Sequence, residues 1–303
     1  MHNKITRITV FTLALITSTL VVGQSATATS CQPKTLTTAL EPVVATYQRK
    51  TGDEFGVAVQ LQTRGFNQPS VTTANVGQWV GGYAWSTSKV PIAIAALRLH
   101  PTPQNYDLAR LSITQSNNDA NTALANSIEP KNAMGQRPLL QTLTNQVLRQ
   151  CGDAATSIDL EYTGLTQWTL KDQATFMIGL QRLQDQPAQY VRTLMSQIGD
   201  KTGYGHFGLA NIPGLATKSG WGDWCLADDD ADPANNHEDI RQMGYTTVHT
   251  NKQYEISIAI GTSTAINGEE IDDAFLTQRT KTLVDPFAHD VWQAVNTYLR
   301  QNK

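Results

Sequence analysis

Apolar and polar positions along this chain follow two rhythms. In "TLTTALEPVVATYQRKTG" (35–52), Leu36, Leu40, Val43, Val44 and Tyr47 return every three or four residues, and Gly52 closes the run. The spacing predicts a helix. "EFGVAVQLQTRG" (54–65) alternates and is rich in valine, so it reads as a strand, with another short extended piece inside 71–83. In "YAWSTSKVPIAIAAL" (83–97) the residues from Val90 onward carry no charge, which predicts a buried helix with a lysine at its entrance. Helical spacing then dominates: 105–128, as two helices or one broken near Gln115–Asn118, and after it 137–153, 169–185 and 187–200. The alternating rhythm returns in 214–221, 240–250 and 253–264, which read as three strands. The last helix is 285–301, with Asp285 as its N-cap and Pro286 at the first helical position.

This order predicts an α/β (α+β) fold. Short turns between strands make most of the sheet antiparallel. The N- and C-terminal helices cover one face, and an all-helical subdomain, about 86–200, packs on the other.

The first residues obey a different logic. Lys4 and Arg7 precede an apolar run from Ile8 to Val22, and Ala26-Thr27-Ala28 offers a small-residue cleavage site. Residues 1–28 read as a secretory signal peptide cut near Ala28, with 29–303 as the mature domain. The run is short and broken by threonines, which disfavours a permanent membrane span. A lipid anchor at Cys31 is disfavoured because "ATS" is a poor lipidation context. The expected location is therefore outside the cytoplasm, with peripheral contact to the cell envelope compatible with it. Export permits one disulfide among Cys31, Cys151 and Cys225, and spacing leaves its pairing open; three buried thiols are the alternative. The net charge of −3 comes with no basic cluster, so nucleic acid is not an expected partner. No metal-ligand spacing and no cofactor motif occurs, so no cofactor is expected, and the protein reads as a monomer acting on a small molecule.

Three strings carry candidate chemistry: Ser86-Thr87-Ser88-Lys89, Ser116-Asn117-Asn118 and Lys218-Ser219-Gly220. Ser86 and Lys89 are three apart and share one face of a helix. A serine hydroxyl is a weak nucleophile until a base takes its proton. Lysine becomes such a base when burial or a second cation lowers its pKa, and Lys218 is the candidate second cation. Pro91 cannot donate a backbone bond, so the first turn is expected to be tight or irregular. Taken singly, each string has an ordinary explanation in capping, turn chemistry or a snorkelling lysine. Together and in this order they are S-x-x-K, S-x-N and K-[ST]-G, and the chain resembles the penicillin-recognising serine enzymes, most of all a class A β-lactamase-like domain.

That resemblance implies an acyl-enzyme on Ser86, formed with a β-lactam or a D-alanyl (peptidoglycan) peptide. It implies Lys89 as base, Ser116 and Lys218 as proton relay, and Asn118 as partner of the substrate amide and of Lys89. Lys218, Ser219 and Gly220 would hold the substrate carboxylate, and the N–H groups of Ser86 and Trp221 would form the oxyanion pocket. The chain also departs from the family. Only thirty residues separate Ser86 from Ser116, fewer than is usual. The E-x-x-L-N string that supplies a water-activating glutamate is missing. Asp153, Asp159 and Glu161 fall in the right stretch, with Glu161 the preferred deacylation carboxylate. A non-catalytic descendant that binds a cell-wall peptide or a protein is the competing reading.

Other strings compete less well. Lys201-Thr202-Gly203 follows a helix rather than a strand, and Gly203, Gly205 and Gly208 spell a dinucleotide fingerprint without its strand and helix. "ADDDADPANNHED" (227–239) reads as a solvated acidic loop, and Arg241 as a surface residue or an extra cation for the substrate carboxylate.

Overall fold

The computed structural model describes residues 35–64, 70–198, 206–223, 237–249, 252–265 and 273–302. The expected leader, Cys31, Cys225, Lys201-Thr202-Gly203 and 227–236 of the acidic stretch lie outside them. Helix α1 (Leu36–Thr51) starts where the Thr35 hydroxyl accepts the Thr38 N–H at 3.1 Å, and ends on Gly52, whose φ of 81° closes the helix. Strands β1 (Glu54–Arg64), β2 (Val71–Gly77), β5 (Ala216–Asp223), β6 (His237–His249) and β7 (Gln253–Ala265) form one antiparallel sheet in the order β2-β1-β7-β6-β5. β3 (Gly81–Tyr83) and β4 (Gln167–Thr169) form a separate ribbon, so the stretch 71–83 holds two extended pieces belonging to different sheets.

The pleat sorts the sheet into two cores. Val57, Val59, Ile256, Ile258 and Ile260 face α1 and the C-terminal helix α9 (Asp285–Gln301), where Tyr47, Phe55 and Phe287 meet edge to face or tilted. Ala58, Ala259 and Met243 face the helical block: α2 (Lys89–Leu99), α3 (Pro103–Thr114), α4 (Asn118–Ile128), α5 (Pro138–Gln150), α6 (Leu170–Leu180) and α7 (Gln186–Ser196). The small residues on that face let neighbours approach closely. A Cβ on Gly261 would lie 1.8 Å from the Trp79 ring. Every residue of α2 from Lys89 to Leu97 is buried, as its uncharged run requires. The expected break in 105–128 falls between α3 and α4.

Several expectations need correction. Helix α8 (Asp273–Arg279) and the wide turn Thr280–Val284 precede α9 and were not visible as a periodic run. Asp285 does not cap α9. Its carboxylate accepts from Gly208 N and Asn211 Nδ2, tying α9 to the short turn Gly208–Asn211. Glu238 and Asp239 are not part of a solvated loop but buried residues of β6. Burial, with Asp239, Asp223 and Asp53 adding to it, pushes the Glu238 carboxyl up to about 7, while Arg279 opposes the shift. Cys151 is a buried free cysteine, its thiol pushed up to about 12 chiefly by burial. Among the described residues no helix is long and apolar enough to cross a membrane.

Candidate active site

The chain enters the site through β3 and turns sharply. Trp85 takes a φ of 46°, in the region that L-residues rarely adopt, and Trp85–Ser88 forms a tight 3-10 turn before α2 begins at Lys89. This is the irregular first turn that Pro91 implied. Thr87 and Ser88 return their hydroxyls to Ala84 O (2.5 Å) and Trp85 O (2.8 Å), whereas the Ser86 hydroxyl meets Lys89. Ser116 is the second residue outside the usual region, with φ 53°, just before Asn117 caps α4 by accepting the Ala120 N–H at 2.8 Å.

Both kinks converge on Lys89. Its Nζ lies 2.8 Å from Ser86 Oγ, 2.5 Å from Ser116 O, 2.6 Å from Asn118 Oδ1 and 3.3 Å from Ser116 Oγ. Lys218 Nζ reaches the other side of the same hydroxyl, 2.9 Å from Ser116 Oγ, and also donates to Ser219 O at 2.8 Å. The hydroxyls of Ser86 and Ser116, the amide of Asn118 and both amines therefore form one cluster, although Lys218 lies 102 residues from Ser116. Register explains the long reach. Lys218 pairs with Met243, and Gly220 with Arg241, so these side chains share the sheet face that meets the helices.

Close packing fixes β5 against the serine. A Cβ on Gly220 would fall 2.9 Å from both Ala84 O and Ser86 N, and one on Gly222 only 2.7 Å from the Trp85 ring. Trp221 is partly exposed in the cleft wall. Ser219 points to the opposite sheet face, where its Oγ accepts from Gln242 Nε2 at 2.7 Å.

Burial controls the charge state. Lys89 is 3% exposed, and desolvation of its ammonium lowers its pKa to about 7. Lys218 is buried as well; desolvation, and then the charge on Lys89, lowers its pKa. Both amines approach the Ser116 hydroxyl, and the charge on Lys89 disfavours protonation of Lys218. Hydrogen-bond counting adds to this. Ser116 O and Asn118 Oδ1 can only accept, and they take two N–H groups of Lys89. In the neutral amine those are all it has, and the lone pair is left for the Ser86 hydroxyl proton.

The cluster opens into a cleft of about 1600 Å³, bounded by α4, the start of α5 and the loop 157–165. Glu161 lies in this wall with an exposed side chain. Asp159 Oδ1 accepts from the N–H groups of Glu161 (2.9 Å) and Tyr162 (2.7 Å), the chemistry of a turn. Asp153 is fully buried and accepts from Ala155 N, Thr156 N and Trp168 Nε1. The part of the loop that packs on the serine turn is Thr163–Leu165, where a Cβ on Gly164 would lie 3.7 Å from Trp85 Cα. It carries no carboxylate. Arg241 departs from expectation: it is neither a surface residue nor aimed at the cleft, but 0% exposed beneath the ribbon. Gln173, Thr87 and Gln242, each with a buried amide or hydroxyl in the framework of the site, were not singled out by the sequence; polar residues inside apolar runs were the available signal.

The antiparallel sheet with α1 and α9 on one face and the helical block on the other is a β-lactamase/transpeptidase-like fold. No family model matches the sequence, and no curated protein matches it. Solved structures do share the fold. A class A β-lactamase from Bacteroides cellulosilyticus is 13% identical, with a TM-score of 0.56 over 87% of this chain and 99% of its own. A leucine-to-glutamate mutant of PBP-A, in an acyl-enzyme complex with penicillin G, is 16% identical, with a TM-score of 0.55 over 88% and 99%. The transpeptidase domain of the D,D-transpeptidase FtsI4 from Legionella pneumophila is 15% identical, with a TM-score of 0.52 over 87% and 97%.

Proposed function

We propose that this chain is an exported serine acyl-transfer enzyme, with 1–28 as a cleaved leader and 29–303 as the catalytic domain, acting on β-lactams or D-alanyl peptides. The observation that carries the reading is the position of Lys89 Nζ, 2.8 Å from Ser86 Oγ and held there by Ser116 O and Asn118 Oδ1. Neutral Lys89 takes the hydroxyl proton as Ser86 Oγ bonds to the substrate carbonyl carbon, and the N–H groups of Ser86 and Trp221 stabilise the oxyanion. The carbonyl then re-forms as the C–N bond breaks. The departing nitrogen receives the Ser116 hydroxyl proton, which the shared proton of Lys89 and Lys218 replaces. Asn118 orients the acyl amide, and Lys218 with the Gly220 backbone forms the side that receives the substrate carboxylate; the Ser219 hydroxyl, expected there, is turned to the other sheet face and bonded to Gln242. The neighbour captured with penicillin G supports this substrate class.

Release of the acyl group needs an activated water. Glu161 is the candidate, but the loop segment against the serine turn holds no carboxylate, so the ester is long-lived and β-lactam destruction slow. Intact mass spectrometry after incubation with a penicillin tests the reading. One adduct is expected, absent in Ser86→Ala. A wild-type protein still unmodified after long incubation refutes acylation and leaves a binding protein. Turnover of a chromogenic cephalosporin then separates a β-lactamase from a peptidase-like enzyme.

A further inference from the structure

Arg241 is a fully buried cation on the sheet face that meets the helices. It pairs in register with Gly220 on one side and Gly261 on the other, and its guanidinium lies 5.1 Å from the Trp79 ring centroid. Nη1 donates to Gly82 O (2.8 Å) and Tyr83 O (2.6 Å), and Nη2 donates to Trp168 O (2.6 Å) and Gln173 Oε1 (3.1 Å). Asp239, two residues along the same strand face, contributes negative charge. Burying such a group is rarely the best way to gain stability, because apolar residues of similar volume commonly serve as well. What the four acceptors share is location. Gly82 and Tyr83 are the strand that runs into the Trp85–Ser88 turn, Trp168 is its ribbon partner, and Gln173 extends the network one step further. Gln173 Nε2 donates to Thr87 Oγ1 at 2.9 Å, and Thr87 Oγ1 donates to Ala84 O. The chain of bonds thus runs from β6 to both residues that flank the Trp85–Ser86 pair. Trp85, in its left-handed conformation, is the kind of residue that persists only when its surroundings hold it.

We propose that Arg241, acting through Gln173 and Thr87, is a positioning residue that clamps the Trp85–Ser88 turn and so aims the Ser86 hydroxyl. The consequence for acylation rests on reading Ser86 as the nucleophile. The clamp itself does not. The Gln173 side chain has one role that can be separated from the rest: Gln173→Glu keeps an acceptor for Arg241 and loses the donor to Thr87. Thr87→Val removes the same link at nearly constant shape, whereas Thr87→Ser retains it.

Two measurements test this on the full chain: hydrogen exchange of the peptide spanning 84–88, and labelling by a fluorescent penicillin resolved into a binding constant and an acylation step. In Thr87→Val and Gln173→Glu, exchange at 84–88 accelerates and the acylation step slows, each by about tenfold or more, with the binding constant unchanged. Thr87→Ser restores both, and Arg241→Lys reproduces the loss. Unchanged exchange at 84–88 in the two severed variants overturns the clamp. Accelerated exchange with an unaltered acylation step overturns the positioning role, as does a loss that Thr87→Ser fails to rescue. Should wild type take no label at all, the acyl-enzyme reading fails by itself, and the exchange result alone decides the clamp.

Discussion

The pH dependence of acylation follows from one buried amine. Lys89 is 3% exposed, and the loss of solvation lowers its pKa from 10.5 to about 7. One pKa unit is about 1.4 kcal/mol, so the ammonium is held about 5 kcal/mol above its solvated state. An unperturbed lysine would be neutral in only about 0.03% of molecules at pH 7, whereas Lys89 is neutral in about half, a gain of roughly a thousandfold in available base. The acylation rate constant should rise about 30-fold between pH 5.5 and 8.5, with its midpoint near 7, because the neutral fraction grows from about 3% to about 97%. Stopped-flow labelling with a fluorescent penicillin at fixed ionic strength reads this directly. Stability provides an independent check. In the unfolded chain Lys89 keeps its ordinary pKa, so between about 7 and 10.5 the unfolded state binds more protons than the folded one, and stability rises with pH. Below about pH 7 both states are protonated, the slope vanishes, and the full penalty of the buried ammonium remains. The stability of wild type relative to Lys89→Met should therefore climb across that window in urea titrations. A rate flat from pH 6 to 8, or a midpoint near 10, would refute the reasoning.

Other expectations follow from single contacts. Lys218→Met removes the donor 2.9 Å from Ser116 Oγ and should slow acylation by about a hundredfold; a change of less than threefold in the labelling rate would show that the relay does not pass through Lys218. Gly220→Ala places a Cβ 2.9 Å from Ser86 N and should abolish labelling while far-ultraviolet circular dichroism keeps the folded spectrum; normal labelling would mean that β5 yields freely. Asp153→Ala strands two buried donors, Thr156 N and Trp168 Nε1, and should lower stability by about 2–4 kcal/mol in urea unfolding, and a loss below about 1 kcal/mol would contradict that role. Glu161→Gln should leave the lifetime of the penicillin adduct unchanged by mass spectrometry, whereas a severalfold longer lifetime would identify Glu161 as the water activator.

Local spacing made part of this architecture legible. Ser86 and Lys89 meet because three residues of helix or 3-10 turn bring them together, and the alternation in 253–264 reports a strand because one of its faces is buried. What the sequence hid depends on register and burial. The reach of Lys218 to Ser116 requires β5 to pair with β6 so that Met243 stands opposite Lys218. Arg241 looked like a surface cation because nothing in its immediate neighbours announces that Gly220 and Gly261 flank it across the sheet. Glu238 and Asp239 carried the acidic composition of the preceding stretch, and only strand pairing places them inside. Asp285 did resemble an N-cap, and its carboxylate does accept backbone and amide N–H groups, but those of a distant turn.

Helices α1 and α9 pack together behind the sheet, and neither contributes a residue to the wall of the cleft. The solvent-facing side of α9, where Gln293 and Arg300 are at least partly exposed, is therefore a place to attach the molecule to a bead or a sensor surface with the Ser86 mouth left open to incoming ligand. An immobilised sample tethered there would report binding without blocking it.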